Sequence, residues 1–229
     1  QRLALIEEVT AWAADNRTFY LYGYSFALNP AKTVQSLVLP ANGNVAVMAV
    51  TLTPALQVPL GSALTKVGIV SDGSTFSTGL DGYGYAYSAS LLGSSLSAGG
   101  VTFSLGAANV PNAATSGTVP LPNAAFSAVK VLATGVSGSQ KAQALTVRYA
   151  DGSTSVFTQD FSDWFTPKSY AGESIALTMA YRDVGSGARD NRTFYVYSYS
   201  FTLNSGKAVS SITLPGNANV ALLAITMVP

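Results

Sequence analysis

Cysteine and histidine are both missing from this 229-residue chain. Without cysteine no disulfide framework and no thiolate metal site can form. Without histidine as well, neither a Ser-His-Asp nor a Cys-His nucleophile can be assembled. Charge is scarce: only 10% of residues are charged, 12 basic against 11 acidic, and no Lys/Arg cluster could neutralise a row of phosphates, so a nucleic-acid partner is not expected. Long apolar runs are absent too. Val45–Val50 falls far short of the ~20 residues that a membrane helix needs, and membrane insertion is not expected. No glycine-rich loop ends in Gly-Lys-Ser/Thr, which removes the usual phosphate cradle. The chain therefore reads as a non-enzyme.

What remains is apolar and neutral. Hydrophobic residues make up 48% of the chain, and Gly, Ser, Thr, Ala and Asn fill most of the rest. Short Val, Ile, Leu, Tyr and Phe runs recur throughout and can bury area, which argues against disorder. A low-charge, hydroxyl-rich surface fits a bacterial protein that is secreted and works outside the cell. No signal peptide stands at Gln1, so an exported protein would be mature or an internal piece.

An internal repeat is the strongest signal. Asp15–Pro54 and Asp190–Pro229 align at a constant offset of 175 without gaps, and 24 of 40 positions are identical. Each copy predicts a three-stranded meander. In the first, Thr18–Leu28 alternates, with Tyr20, Tyr22, Tyr24, Phe26 and Leu28 on one face. Val34–Leu39 and Val45–Leu52 follow, separated by the turn cluster Pro40-Ala41-Asn42-Gly43-Asn44. Thr193–Leu203, Val209–Leu214 and Val220–Met227 are the second set. Between the copies, strands are expected near Gly68–Val70, Tyr85–Ser90, Val101–Leu105, Thr118–Leu121, Ala128–Thr134, Gln143–Tyr149, Ser153–Phe161 and Ser174–Arg182, with Asp151-Gly152 turning a hairpin. Leu3–Ala14 is a helix candidate, since Leu5, Ile6, Val9 and Trp12 can share a face, although it aligns loosely with the strand Ala176–Arg182.

These readings give an all-β, antiparallel β-sandwich plus a partial duplicated meander. Residues 1–54 are the closing strands of a preceding copy, 55–65 a linker, and 66–229 one complete sandwich. A ~40-residue sheet cannot bury enough apolar area alone. Residues 1–54 are thus expected to dock through a hydrophobic interface, on the intact domain or on another chain by self-association.

The segments Gly68–Gly73, Leu80–Ala89, Val147–Ser153, Asp160–Trp164, Ala180–Arg182 and Lys207–Ile225 together resemble the β-sandwich accessory domains of secreted bacterial glycoside hydrolases and other exoenzymes. Such domains are often tandem and C-terminal, and are similar to galactose-binding-like jelly rolls. The resemblance implies a non-catalytic module fused to an enzyme.

Sugars are held by flat aromatic faces and planar polar groups in a concavity. The residues set out for this are Tyr83, Tyr85, Trp164, Tyr181, Arg182 and Asp163, with Tyr87, Phe165, Tyr170, Asp81 and Asn191 as further candidates. Packing is the competing reading for the alternating tyrosines. Asp160 and Asp163 are the one carboxylate pair of glycosidase type, with turn capping the stronger reading. Jelly rolls often carry a structural calcium, for which Asp72 and Asp81 are the candidate ligands, against plain Asx turns; no other cofactor is expected. The leading function is carbohydrate binding, targeting a linked enzyme to a polysaccharide or other glycan. The alternative is a structural or adhesive sandwich, an extracellular fibre or surface spacer, that assembles through its duplicated meander.

Overall fold

The computed structural model describes residues 2–5, 17–24, 26, 34–51 and 54–229. Two strands lie in the N-terminal copy, β1 (Arg2–Leu5) and β2 (Phe19–Tyr22). The remainder carries β3 (Leu56–Val58), β4 (Leu64–Lys66), β5 (Ile69–Val70), β6 (Tyr85–Ser88), a one-turn helix α1 (Ala89–Leu92), β7 (Ser95–Ala98), β8 (Val101–Ser104), β9 (Ala113–Ala114) and β10 (Thr118–Pro120). The long strands follow: β11 (Ala128–Gly135), β12 (Gln140–Tyr149), β13 (Thr154–Phe161) and β14 (Glu173–Met179). Last come β15 (Arg182–Val184), β16 (Arg189–Asp190), β17 (Phe194–Thr202), β18 (Val209–Thr213) and β19 (Val220–Val228).

The chain folds as an antiparallel β-sandwich. One sheet runs β14-β17-β11-β19-β9-β4, with β3 also on β19; the facing sheet runs β10-β18-β12-β13. Between them pack Val129, Val131, Leu145, Val147, Phe161, Tyr197, Tyr199, Ile212, Leu222 and Ile225. The larger sheet is covered on its other face too, where Leu132, Phe194, Val196, Ala221 and Leu223 meet Ile69, Leu80, Tyr87, Phe103 and Trp164. That second layer includes a small sheet, β16-β15-β6-β5, whose β5–β6 pair is parallel. Burial on both faces explains why β19 reads Val-Ala-Leu-Leu-Ala-Ile-Thr-Met without alternation. Among the described residues no helix is long and apolar enough to cross a membrane.

The turn at Asp151-Gly152 forms as expected. Gly152 adopts φ +86 and donates its N–H to the Tyr149 carbonyl at 3.0 Å. Residues 55–65, expected as a linker, instead supply β3, a single 3₁₀ turn (Gly61–Ala63) and the start of β4. Gln57 and Leu56 pair with Thr226 and Met227, so this stretch closes the sheet and is not a tether. The helix candidate over Leu3–Ala14 fails at its beginning, because Arg2–Leu5 is extended and paired with β2; residues 6–14 lie outside the described residues.

Among the described residues the N-terminal copy does not repeat the meander. Residues 34–51 carry no strand, and the described apolar side chains of the copy, the half-buried Leu21 apart, stay exposed. Tyr22 is 56% exposed, Leu37 63% and Val50 58%, where their counterparts Tyr197, Ile212 and Val50's partner-in-sequence Ile225 are 0%, 0% and 1%. The expected hydrophobic interface with the sandwich is therefore not formed by these residues.

Candidate functional site

The small sheet divides the candidate residues between two faces, because successive residues of β15 point opposite ways. Arg182 faces inward. Its guanidinium carbon lies 3.6 Å from the centre of the Tyr85 ring, 4.6 Å from Trp164 and 4.5 Å from Phe194. Its charge is met by Asp190 Oδ2 at 3.0 Å and by Asp81 Oδ2 at 3.8 Å. Arg192 holds the same Asp190 carboxylate from the surface at 2.6 Å; the Arg192 hydrogen bond, against the opposing effect of burial, and the bond from Arg182 keep Asp190 below the usual carboxylate range. A buried arginine needs this combination of paired carboxylates and ring faces.

The loop feeding this cage is shaped by an Asx turn. Asp81 Oδ1 accepts the N–H groups of Tyr83 at 2.8 Å and Tyr85 at 3.3 Å. Gly79 just before it has φ +65, and a Cβ there would sit 2.2 Å from the Tyr85 carbonyl oxygen, so only glycine fits.

Asp183, the next residue of β15, faces the opposite way. It is 1% exposed, and neither carboxylate oxygen has a hydrogen-bond partner. Asp72 lies beside it, held by the Ser88 hydroxyl, by Tyr181 O–H at 2.6 Å and by Arg189 Nη2 at 2.8 Å. Burial, reinforced by the neighbouring Asp72 charge, raises the Asp183 pKa to about 6. For Asp72, burial pushes upward, but the bonds from Ser88 and Tyr181 and the Arg189 charge outweigh it and hold the group below its usual range. Two adjacent carboxyls are thus pushed apart, one ionised and one tending to keep its proton.

The six residues set out for sugar binding do not form one platform. Trp164 is buried, edge-on to Tyr87 at 5.3 Å and to Phe194 at 5.7 Å. Arg182 is enclosed as described. Asp163 is buried and caps its own turn, with Oδ2 accepting Gly138 N–H at 2.7 Å and Oδ1 accepting Phe165 N–H at 2.8 Å. Tyr85 lies against Arg182, and Tyr181 is spent on Asp72 with Arg189 stacked 4.2 Å above its ring. Only Tyr83, 79% exposed, presents an open aromatic face. Of the further candidates, Tyr87 is fully buried and donates to the Tyr195 carbonyl at 2.6 Å. Phe165 is covered by Arg192 at 4.7 Å and Tyr170 by Lys141 at 5.1 Å.

Asp160 is also tied to backbone, accepting Ala142 N–H at 2.7 Å, so it and Asp163 each cap a turn. Asp72 and Asp81 stand on separate networks, one with Arg189 and the other with Arg182. Among the described residues no three His, Cys, Asp or Glu side chains gather as metal ligands. Two shallow grooves exist. One of about 410 Å³ is lined by Val67, Val70, Ser74, Thr75, Phe76 and Asn109, the other, about 240 Å³, by Thr158, Gln159, Asp160, Tyr170 and Ala171. Neither is lined by any of the six.

Sequence reasoning passed over Asp183 and the Asp190–Arg182 pairing. No spacing rule links them to Asp72 and Asp81, which lie about a hundred residues earlier in the chain. Residues 55–229 match the protein family described as the AziU2-like beta-sandwich domain, a span that starts next to β3 and leaves out the N-terminal copy. No curated protein matches the chain.

Proposed function

The chain belongs to the AziU2-like β-sandwich domain family, and on that premise we propose that it is a non-catalytic, exported module whose work is assembly through the N-terminal copy of its closing strands. One observation carries this reading: residues buried in the complete sandwich are exposed when the same sequence recurs at the other end of the chain. Tyr22, Tyr24, Phe26, Leu37, Leu39, Val45, Val47 and Val50 are all open to solvent. Burying each large apolar side chain is worth about 1.5–3 kcal/mol, so eight of them left in solvent supply a large driving force for association. The partner is another unit of the same fold, because the sequence on offer is that of the fold's own strands.

Sedimentation of the full chain tests this. The expected result is association that rises with concentration and is lost in the triple variant Tyr22→Ser, Leu37→Ser, Val50→Ser. A folded chain that stays monomeric over the whole concentration range would reject assembly between separate chains.

A second reading, targeting of a glycan for a linked exoenzyme, is favoured by Tyr83 at the tip of the Asp81 turn and by the groove that Phe76, Ser74, Thr75 and Asn109 line. Retention on immobilised polysaccharides that weakens on Tyr83→Ala would support it. Blank results across plant, fungal and bacterial polysaccharides would remove it.

A further inference from the structure

The assembly reading leaves open what the N-terminal copy fits, and strand pairing supplies the answer. In the complete sandwich β17 pairs with β14 and β11, β18 with β10 and β12, and β19 with β11, β9 and β3. Every one of these partners lies between residues 55 and 189. Only the β14–β17 pair has its counterpart near the N-terminus, and that pair forms: β1 joins β2 with Leu3 opposite Leu21, Ala4 opposite Tyr20 and Leu5 opposite Phe19. In β14–β17 Leu177, Thr178 and Met179 face Val196, Tyr195 and Phe194, so at the offset of 175 the β1–β2 pairing is shifted by one residue from that of the complete copy. The N-terminal copy thus keeps an antiparallel strand ahead of β2, as β14 precedes and pairs with β17. Among the described residues no strand pairs with the other side of β2.

We propose that this open side receives a β11-type strand from a second sandwich of the same family that lacks closing strands of its own. In the complete copy β11 lies between β17 and β19, with Val131 opposite Tyr199 on one side and Ile225 on the other. At the offset of 175 those positions are Tyr24 and Val50, both exposed. One inserted strand thus meets both flanks of the N-terminal copy, and the strands that accompany it flank Leu37, as β12 and β10 flank Ile212. The 229 residues hold one body, residues 55–189, and two closing segments, so exchange of this body between copies covers only one of the two. A body without a closing segment of its own covers the other, as in a tandem array where each body uses the strands that follow it.

This rests on the assembly reading but is tested separately, in a lengthened chain where a copy of residues 55–175 is joined ahead of Gln1. The added body then meets 1–54 in the order that 55–175 meets 176–229. Backbone amides of residues 19–24 and 45–50 should slow in hydrogen exchange by roughly 100-fold or more, toward the level of 194–199 and 220–225. A control carries residues 176–229 in place of 1–54 downstream of the same added body. If the control shows two folded sandwiches while 19–24 and 45–50 still exchange as in the 229-residue chain, the partner assignment is overturned. If the control does not fold, a body of this kind cannot accept closing strands that follow it in this arrangement, and the assignment is overturned as well. A 229-residue chain that associates while the lengthened chain stays unprotected keeps assembly and rejects this partner. Protection in the lengthened chain with a monomeric 229-residue chain keeps the partner and rejects association between separate chains.

Discussion

Two stretches of this chain share most of their sequence and have opposite fates. Val220–Val228 is a nine-residue strand buried on both faces, whereas residues 45–51, which match its first seven positions, form no strand and stand in solvent. Local propensity cannot account for this, since Val-Ala-Leu-Leu-Ala-Ile and Val-Ala-Val-Met-Ala-Val are equally β-prone. What differs is the presence of β11, β9 and β3 for one copy and of none of them for the other. β2 forms where 45–51 does not because β1 lies close in sequence. Strand identity here is set by pairing partners, and the hydrophobic pattern only makes the strand possible.

The largest effect expected from breaking the comparison lies in a polar triplet that both ends carry, Asp15-Asn16-Arg17 and Asp190-Asn191-Arg192. Asp190→Ala leaves Arg182 buried with only the more distant Asp81 carboxylate, a loss of about 3–5 kcal/mol for a broken buried pair. At the offset of 175 Glu7 stands where the complete copy has Arg182, so the counterpart substitution Asp15→Ala should change stability by no more than ~0.5 kcal/mol. Urea unfolding of both variants checks this; equal losses would mean that the triplet works alike at both ends.

Next in size is an apolar pair. Ile225→Ala removes a side chain from the inter-sheet core and should cost about 2–5 kcal/mol. Its counterpart Val50→Ala should cost within ~0.5 kcal/mol in the 229-residue chain. In the lengthened chain Val50→Ala should become destabilising to the added sandwich, by about 1–3 kcal/mol. If Val50→Ala is already costly in the shorter chain, the N-terminal copy is buried there and the comparison fails.

The complete copy also carries a pH response. Asp183 has its pKa raised from 3.8 to about 6, so the native state holds that proton more tightly than the unfolded chain does. Its contribution is fully present below about pH 4 and is lost as pH rises through about 6. Asp72 acts oppositely: its lowered pKa stabilises at neutral pH and that benefit is lost toward strong acid. The thermal midpoint should therefore fall between about pH 4 and 6, and Asp183→Asn should flatten that fall and gain roughly 1–3 kcal/mol at pH 8. A flat wild-type profile over this range would show that the two carboxyls are not split.

Much of the fold is legible from residues alone. The alternation in Thr193–Leu203, the Asp-Gly hairpin and the apolar runs at 128–134 and 220–227 each place a long strand, because such strands carry their period within themselves. β3, β4 and β9 are not legible, being two- or three-residue pairings whose only signature is the neighbour they meet; Pro54, Pro59 and Gly61 in that stretch read as punctuation instead. The site was harder still. Trp164, Arg182 and Asp163 have the residue types of a sugar platform, and burial turns them into a cage and a turn cap. That outcome depends on Phe194 and Asp190 arriving from another strand, which no local spacing encodes.

The smallest effects separate two kinds of exposed tyrosine. Tyr83 is exposed inside the complete sandwich because the Asp81 turn lifts it outward, and Tyr24, two residues past β2, because no β11-type strand lies beside it. Replacing either with serine should alter stability by no more than ~0.5 kcal/mol, so unfolding cannot tell them apart. Nitration can, read residue by residue by mass spectrometry. Both rings should react in the 229-residue chain. In the lengthened chain Tyr24 should become resistant, as the buried Tyr199 is, while Tyr83 goes on reacting at its former rate. Continued reaction at Tyr24 would mean that its exposure belongs to the segment itself and not to the lack of a partner strand. Protection of Tyr83 instead would move the docking surface to the Asp81 turn.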